Sequence, residues 1–140
     1  MSSSVSYTAH ATAVGGRRGH VQSDDGAVKF DLSLPKSMGG EGRSGATNPE
    51  QLFASGYAAC FGGALDFIAR QEKVELKDAS ITADVTIAKQ GDGFVLSTKL
   101  SGKLPGVDRA TAERLMQKAH EFCPYSKATR GNMQVELAVL

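Results

Sequence analysis

At 140 residues, with 16 basic and 15 acidic side chains and a formal charge of +1, the chain is long enough for a single domain, residues 1–140, with a moderate core. The near balance of charge argues against the strongly basic surface of a nucleic-acid binder. No apolar run reads as long enough to cross a bilayer, and MSSSVSYTAHATAV at the start has neither an early basic cluster nor a long apolar core, so neither membrane nor secretory signal is expected. The cytosol is the expected compartment, and there two cysteines are buried thiols, redox groups or metal ligands rather than a permanent staple.

In chain order, Val5 to Val14 alternates weakly and suits a strand, and GGRRG (Gly15 to Gly19) turns the chain with two arginines. Gly19 to Gln22 reads as a second short strand ending at SDDG. Val28, Phe30, Leu32 and Leu34 alternate with Lys29, Asp31 and Ser33, giving a third strand with one apolar face that Pro35 stops. KSMGGEGRSGATN is a long connection rich in turn residues; it lacks the Gly-Lys-Ser/Thr ending of a phosphate loop and reads as a surface loop.

Pro49 to Gln71 is the helix on which the rest depends. Asn48 is a good N-cap, Pro49 suits the first helical position and Gln51 stands where a capping box places Glu or Gln. Glu50, Phe53, Tyr57, Cys60, Ala64 and Phe67 recur at spacings of three and four and form one slowly drifting stripe. The other positions are small, so the helix reads as buried, weak in its own propensity, and packed closely against another backbone. Ile81, Val85 and Ile87, the QGDG turn, and Phe94, Leu96, Thr98 and Leu100 make a hairpin. Asp108 caps a second helix running to about Phe122, with Ala112, Leu115, Met116, Ala119, Phe122 and Cys123 on its apolar face and Pro124 closing it. Met133 to Val139 is a final strand. The order βββαββαβ means an α+β protein rather than a repeated βαβ design.

Each cysteine lies on the inward stripe of its own helix, so both a redox pair and two inert buried thiols fit. A redox role needs a lowered thiol pKa and a nearby cation, for which Arg17 and Arg18 are candidates. His120, one turn before Cys123, raises a Cys/His metal site completed by Cys60, but no second pair has ligand spacing, and no metal is expected. His10 and His20 read as surface or hydrogen-bonded side chains.

The strings ATNPEQLFASGYAACF (Ala46 to Phe61) and HEFCPYSKATRGNMQVEL (His120 to Leu137), preceded by GGR (Gly15 to Arg17), resemble the organic hydroperoxide resistance proteins, the Ohr branch of the OsmC family, over nearly the whole chain. The resemblance implies a bacterial thiol peroxidase that reduces organic hydroperoxides as an intertwined homodimer, with two sheets around central helices. It also implies recycling by an external dithiol, dihydrolipoamide or a lipoylated protein, and no bound cofactor. By position in the motifs, Cys60 is the peroxidatic cysteine and Cys123 the resolving one. Arg17 corresponds to the catalytic arginine, with Arg18 an unassigned neighbour, and Glu50 to the glutamate that holds it.

Those residue types suit the chemistry: a guanidinium favours a thiolate and binds peroxide oxygens, and a carboxylate limits its rotamers. Glu50 and Cys60 are ten positions apart on one helix, about 15 Å along its axis at 1.5 Å per residue, too far for one compact site. Two copies crossing antiparallel near Ser55, where Ala54 and Gly56 permit close approach, would bring Glu50 level with the partner's Cys60, and Arg17 is a candidate to come from the same partner. Met38, Phe53, Phe67, Leu115 and Met116 are the candidate apolar lining for alkyl or fatty-acid hydroperoxides, each being otherwise a core residue. The alternative is a non-enzymatic peroxide sensor or small-molecule binder using the same cysteines as a switch, which lacks the support of a DNA-binding helix pair or basic extension.

Overall fold

The computed structural model describes residues 4–140; the first three residues of the N-terminal segment read above for a secretory signal lie outside them. The described chain divides into two compact units, one ending at Pro49 and the other beginning at Glu50.

In the first unit, β1 (Ala11–Val14), β2 (His20–Ser23) and β3 (Lys29–Asp31) form an antiparallel sheet in the order β1-β2-β3. β3 is shorter than the alternation from Val28 to Leu34 implies. Leu32 instead makes an isolated parallel bridge with Thr47, which ties the long loop back to the strand. Of the apolar alternation only Leu32 is fully buried, and Val28 and Phe30 stay exposed. A single 3-10 turn, Gly16–Arg18, joins β1 to β2, entered through Gly15 in the left-handed region (φ 79°) where a glycine is favoured. His20 donates from Nδ1 to the Asp31 carboxylate at 3.0 Å and from Nε2 to Gln22 Oε1 at 3.2 Å.

The second unit opens with α1 (Pro49–Gln71), which begins where its start signals place it and spans the stretch read as one helix. β4 (Ser80–Gln90) and β5 (Gly93–Lys103) pair antiparallel through a two-residue turn that begins at Gly91, φ 61°. α2 (Arg109–Phe122) follows, capped by Asp108, which accepts from the Thr111 N–H at 3.0 Å as its sequence position predicts. β6 (Gln134–Val139) returns parallel to β5, from Ser97 opposite Gln134 to Gly102 opposite Val139, and the helical crossover supplies the length a parallel pair requires.

Three expectations are corrected. Pro124 does not merely end α2: it opens a six-residue helix, α3 (Pro124–Thr129), so the order is βββαββααβ. The physical reason is that proline cannot continue a helix but is favoured in the first turn of one. The buried side of α1 is also displaced from the expected stripe. Tyr57, Phe61, Ala64, Leu65, Ile68 and Ala69 are buried, whereas Phe67 is 43% exposed and Ser55, Ala59 and Gly63 face outward. Finally, α1 is long and apolar enough by composition to cross a bilayer, with mean hydropathy 1.4 over its most apolar stretch, contrary to the reading that no run is. Its Tyr57, Phe61 and Leu65 join Leu100 and Leu104 of the β5 region and Leu115 and Met116 of α2 in one core. Gly102 is the close-packed point of that core, because a Cβ there would stand 2.5 Å from Met116 Sδ.

Candidate functional site: a two-thiol centre

Cys60 lies midway along α1. Cys123 closes α2 and opens α3 in extended geometry (φ −63°, ψ 126°), so its side chain sits at a corner between two helices. Both are free thiols and their Sγ atoms are 3.7 Å apart. A disulfide needs about 2.05 Å, so the pair is at van der Waals contact and one small movement from bonding. The two cysteines, each expected on the inward stripe of its own helix, therefore meet inside the fold. Cys123 has no solvent exposure, while Cys60 is only partly buried and is the sulfur a solute can reach.

Burial, the largest influence, pushes the Cys60 thiol above its ordinary range, the backbone N–H of Tyr125 opposes this by hydrogen bonding to the sulfur, and the Cys123 thiol raises it further. The chain thus brings two sulfurs together, and burial disfavours the Cys60 thiolate unless a cation intervenes.

Three aromatic rings of α1 and α3 pack against one another, and the backbone of one of them, Tyr125, reaches Cys60. Phe53 meets Tyr57 edge to face at 5.8 Å between centroids, and Tyr125 lies 6.1 Å from Phe53 and 5.6 Å from Tyr57. Gly56 makes room for Tyr125, since a Cβ at that position would lie 2.8 Å from the phenol oxygen. The small size of Gly56 therefore has a cause within the chain. Gly63 does not, since a Cβ there would meet nothing within 4 Å.

Below the sulfurs, Ser126 is completely buried and its Oγ lies 2.7 Å from Tyr57 Oη and 2.8 Å from His120 Nδ1. Arg130 Nη2 donates to the His120 carbonyl at 2.6 Å. His120 has its pKa lowered, first by burial and then by the Arg130 charge, which favours the neutral imidazole. Among the described residues, no three of His, Cys, Asp and Glu gather as a metal-binding group.

The remaining sequence candidates are distributed more widely. Phe53 is partly buried against the core, whereas Leu115 and Met116 are wholly inside it, 0% and 1% exposed, and belong to its packing. Phe67 stacks on Phe122 with centroids 4.5 Å apart and planes 6° from parallel, and Lys127 stands 5.9 Å above the Phe122 ring. Glu50 is in the first turn of α1, about 15 Å along the axis from Cys60 at 1.5 Å per residue. In the first unit, Arg17 is partly buried in the 3-10 turn, Arg18 is exposed and lines a groove with Leu34, Glu41 and Arg43, and Met38 ends a second 3-10 turn, Lys36–Met38. Sequence reasoning missed Tyr125 and Ser126. A serine two places after proline in a cysteine-bounded corner is the one signal that could have marked Ser126.

A family model described as OsmC-like protein matches residues 40–138. The organic hydroperoxide resistance protein OhrB of Bacillus subtilis is 50% identical over 133 residues, covering 94% of this chain and 96% of that protein. The chain belongs to the organic hydroperoxide resistance (Ohr) branch of the OsmC-like family. Another Ohr protein, from Xanthomonas axonopodis pv. citri, is 50% identical over 136 residues, 96% of this chain and 95% of its own. The crystal structure of an organic hydroperoxide resistance protein OsmC from Legionella pneumophila superposes with a TM-score of 0.91 at 48% identity, covering 97% of this chain and 98% of that one. The α+β architecture with two small sheets is therefore the OsmC/Ohr fold.

Proposed function

We propose that the chain is a thiol peroxidase that reduces organic hydroperoxides to alcohols and so confers hydroperoxide resistance. The observation that carries this reading is a pair of free sulfurs 3.7 Å apart, one reachable and one enclosed, in a chain whose relatives are named organic hydroperoxide resistance proteins. Cys60 as thiolate attacks one peroxide oxygen, the O–O bond breaks, an alcohol leaves with a proton, and Cys60 becomes a sulfenic acid. The Cys123 thiol then attacks the Cys60 sulfur, the S–O bond breaks, hydroxide takes the Cys123 proton and leaves as water, and a Cys60–Cys123 disulfide forms. An external dithiol, dihydrolipoamide or a lipoylated protein, reopens it by exchange.

Because burial raises the Cys60 thiol, the first step requires a cation. Arg17 takes that role in this reading, with Glu50 restricting its rotamers through a bidentate pair. A homodimer in which Glu50 and Arg17 serve the partner's Cys60 fits the helical distance between Glu50 and Cys60. The outward row of Ser55, Ala59 and Gly63 supports a second copy against α1, and the compartment is the bacterial cytoplasm. The ring cluster of Phe53, Tyr57 and Tyr125, which reaches Cys60 through the Tyr125 backbone, supports alkyl and fatty-acid hydroperoxides as substrates, with Met38 and Phe67 as further apolar candidates.

The test is steady-state turnover of tert-butyl hydroperoxide with dihydrolipoamide. Wild type turns over, Cys60→Ser does not, and Cys123→Ser consumes at most one equivalent before stalling. Wild-type turnover no faster than that of Cys60→Ser ends the enzyme reading. Equal efficiency with hydrogen peroxide and a bulky hydroperoxide ends the apolar-substrate reading alone.

A further inference from the structure

The Ser126 hydroxyl bonds two residues that occupy equivalent places. Tyr57 stands three residues before Cys60 on α1, and His120 stands three residues before Cys123 on α2. Residues three apart on a helix are stacked on one face, so each partner of Ser126 lies one turn beneath a cysteine. One buried oxygen therefore joins the two helices directly under the thiols, at 2.7 Å to one side and 2.8 Å to the other.

The direction of these bonds follows from counting protons. Serine has one donor, tyrosine has one donor, and neutral histidine offers one ring nitrogen as acceptor. With Tyr57 donating to Ser126 Oγ and Ser126 donating to His120 Nδ1, both hydroxyl protons are used. The reverse direction leaves the buried Tyr57 proton without an acceptor. Tyr57 and Ser126 are both 0% exposed, so water does not compete for either, and the Arg130 bond to the His120 carbonyl fixes the end of α2 that carries Cys123.

We infer that Tyr57, Ser126 and His120 are positioning residues that hold α1 and α2 at the separation from which Cys60 and Cys123 close their disulfide. The inference rests on the two-thiol reading of the site, and concerns the resolving step rather than the attack on peroxide. In that step the Cys123 sulfur displaces hydroxide from the Cys60 sulfenic acid. The S–O bond breaks, the S–S bond forms, and hydroxide takes the Cys123 proton to leave as water. Sulfurs held at 3.7 Å have little further to travel, and the lost freedom has already been supplied by folding. Effective concentration of one thiol at the other is then high, and disulfide formation favourable.

The experiment equilibrates folded protein with reduced and oxidised glutathione and counts Cys60–Cys123 disulfide by acid trapping and intact mass, which requires no peroxide. Tyr57→Phe, which keeps the ring, and Ser126→Ala lower the equilibrium constant for disulfide formation about tenfold, a midpoint shift of about 30 mV for two electrons. Ser126→Thr, which keeps the hydroxyl, stays nearer wild type than Ser126→Ala. Leu100→Val, which trims the core but keeps the Tyr57, Ser126 and His120 side chains, leaves the constant unchanged. Folded Tyr57→Phe with the wild-type constant overturns the proposal, as does an equal shift in Leu100→Val. Absence of any disulfide in wild type overturns the two-thiol reading and this inference together. A shift as stated, without peroxide turnover, leaves the positioning role standing and defeats only the peroxidase reading.

Discussion

The Tyr57–Ser126–His120 chain makes a prediction about stability whose sign, not merely size, is informative. Ser126→Ala removes the shared hydroxyl and leaves the Tyr57 phenol in a fully enclosed place without a partner. An orphaned buried polar group costs about 1–3 kcal/mol, and His120, only partly buried, recovers a water. Ser126→Ala should therefore destabilise by about 2–3 kcal/mol. Tyr57→Phe removes one oxygen but keeps the ring against Phe53 and Tyr125, and Ser126 retains His120. That loss is about 1 kcal/mol, the net worth of one hydrogen bond. The double variant removes both ends of the broken bond, leaves no orphan, and should cost about 1–2 kcal/mol rather than the 3–4 kcal/mol of the sum. Urea unfolding of reduced protein at one protomer concentration measures the cycle, with constant slope as the check that the unfolded state is unaltered. A sum additive to within about 0.5 kcal/mol refutes the bond direction and the enclosure on which the positioning role depends.

Iodoacetamide should modify Cys60 before Cys123, because only Cys60 has solvent access; peptide mass mapping that finds Cys123 labelled first contradicts the assigned geometry. Gly63→Ala tests the second copy. On a face open to solvent it should stabilise the helix by up to about 1 kcal/mol, so with a partner helix against it the expected result is weaker association by sedimentation, and unchanged association with a more stable chain refutes the antiparallel crossing. Glu72 is bound by Arg114 at 2.9 Å and by Lys118, and these bonds hold its pKa below the ordinary 4.5. Its contribution is complete above 4.5 and vanishes as pH falls through the lowered folded value. Glu72→Gln should thus be less stable than wild type at neutral pH and converge with it in acid, and a constant difference across that range removes the ion cluster as its cause. Leu115→Ala should lose about 2–5 kcal/mol of stability while the hydroperoxide KM stays unchanged, as befits a core side chain; a raised KM without loss of stability makes Leu115 part of the substrate wall.

What the amino-acid sequence discloses of this site follows the range of the interactions that build it. The start of α1 is signalled locally by Asn48, Pro49 and the following turn, and the helix begins at Pro49. The Asp108 cap and the alternation of β4 are local in the same sense. The burial of α1 is not local. Small residues surround Tyr57 and Cys60, so a three-four stripe drawn through Phe67 and one drawn through Phe61, Leu65 and Ile68 are nearly equal in apolarity, and the packing of β5 and α2 selects the second. The corner at Cys123 was hidden for a related reason, since proline marks both the end of one helix and the first turn of another. Ser126 is the extreme case. Its partner Tyr57 lies 69 residues away, and nothing in either residue's neighbourhood announces the bond. The two thiols are conspicuous because cysteine is rare in the chain, whereas the hydroxyl beneath them is one of many polar side chains and shows its function only through enclosure. The legible part of the centre is thus the chemistry, and the hidden part is the alignment that makes two helices bring their sulfurs together.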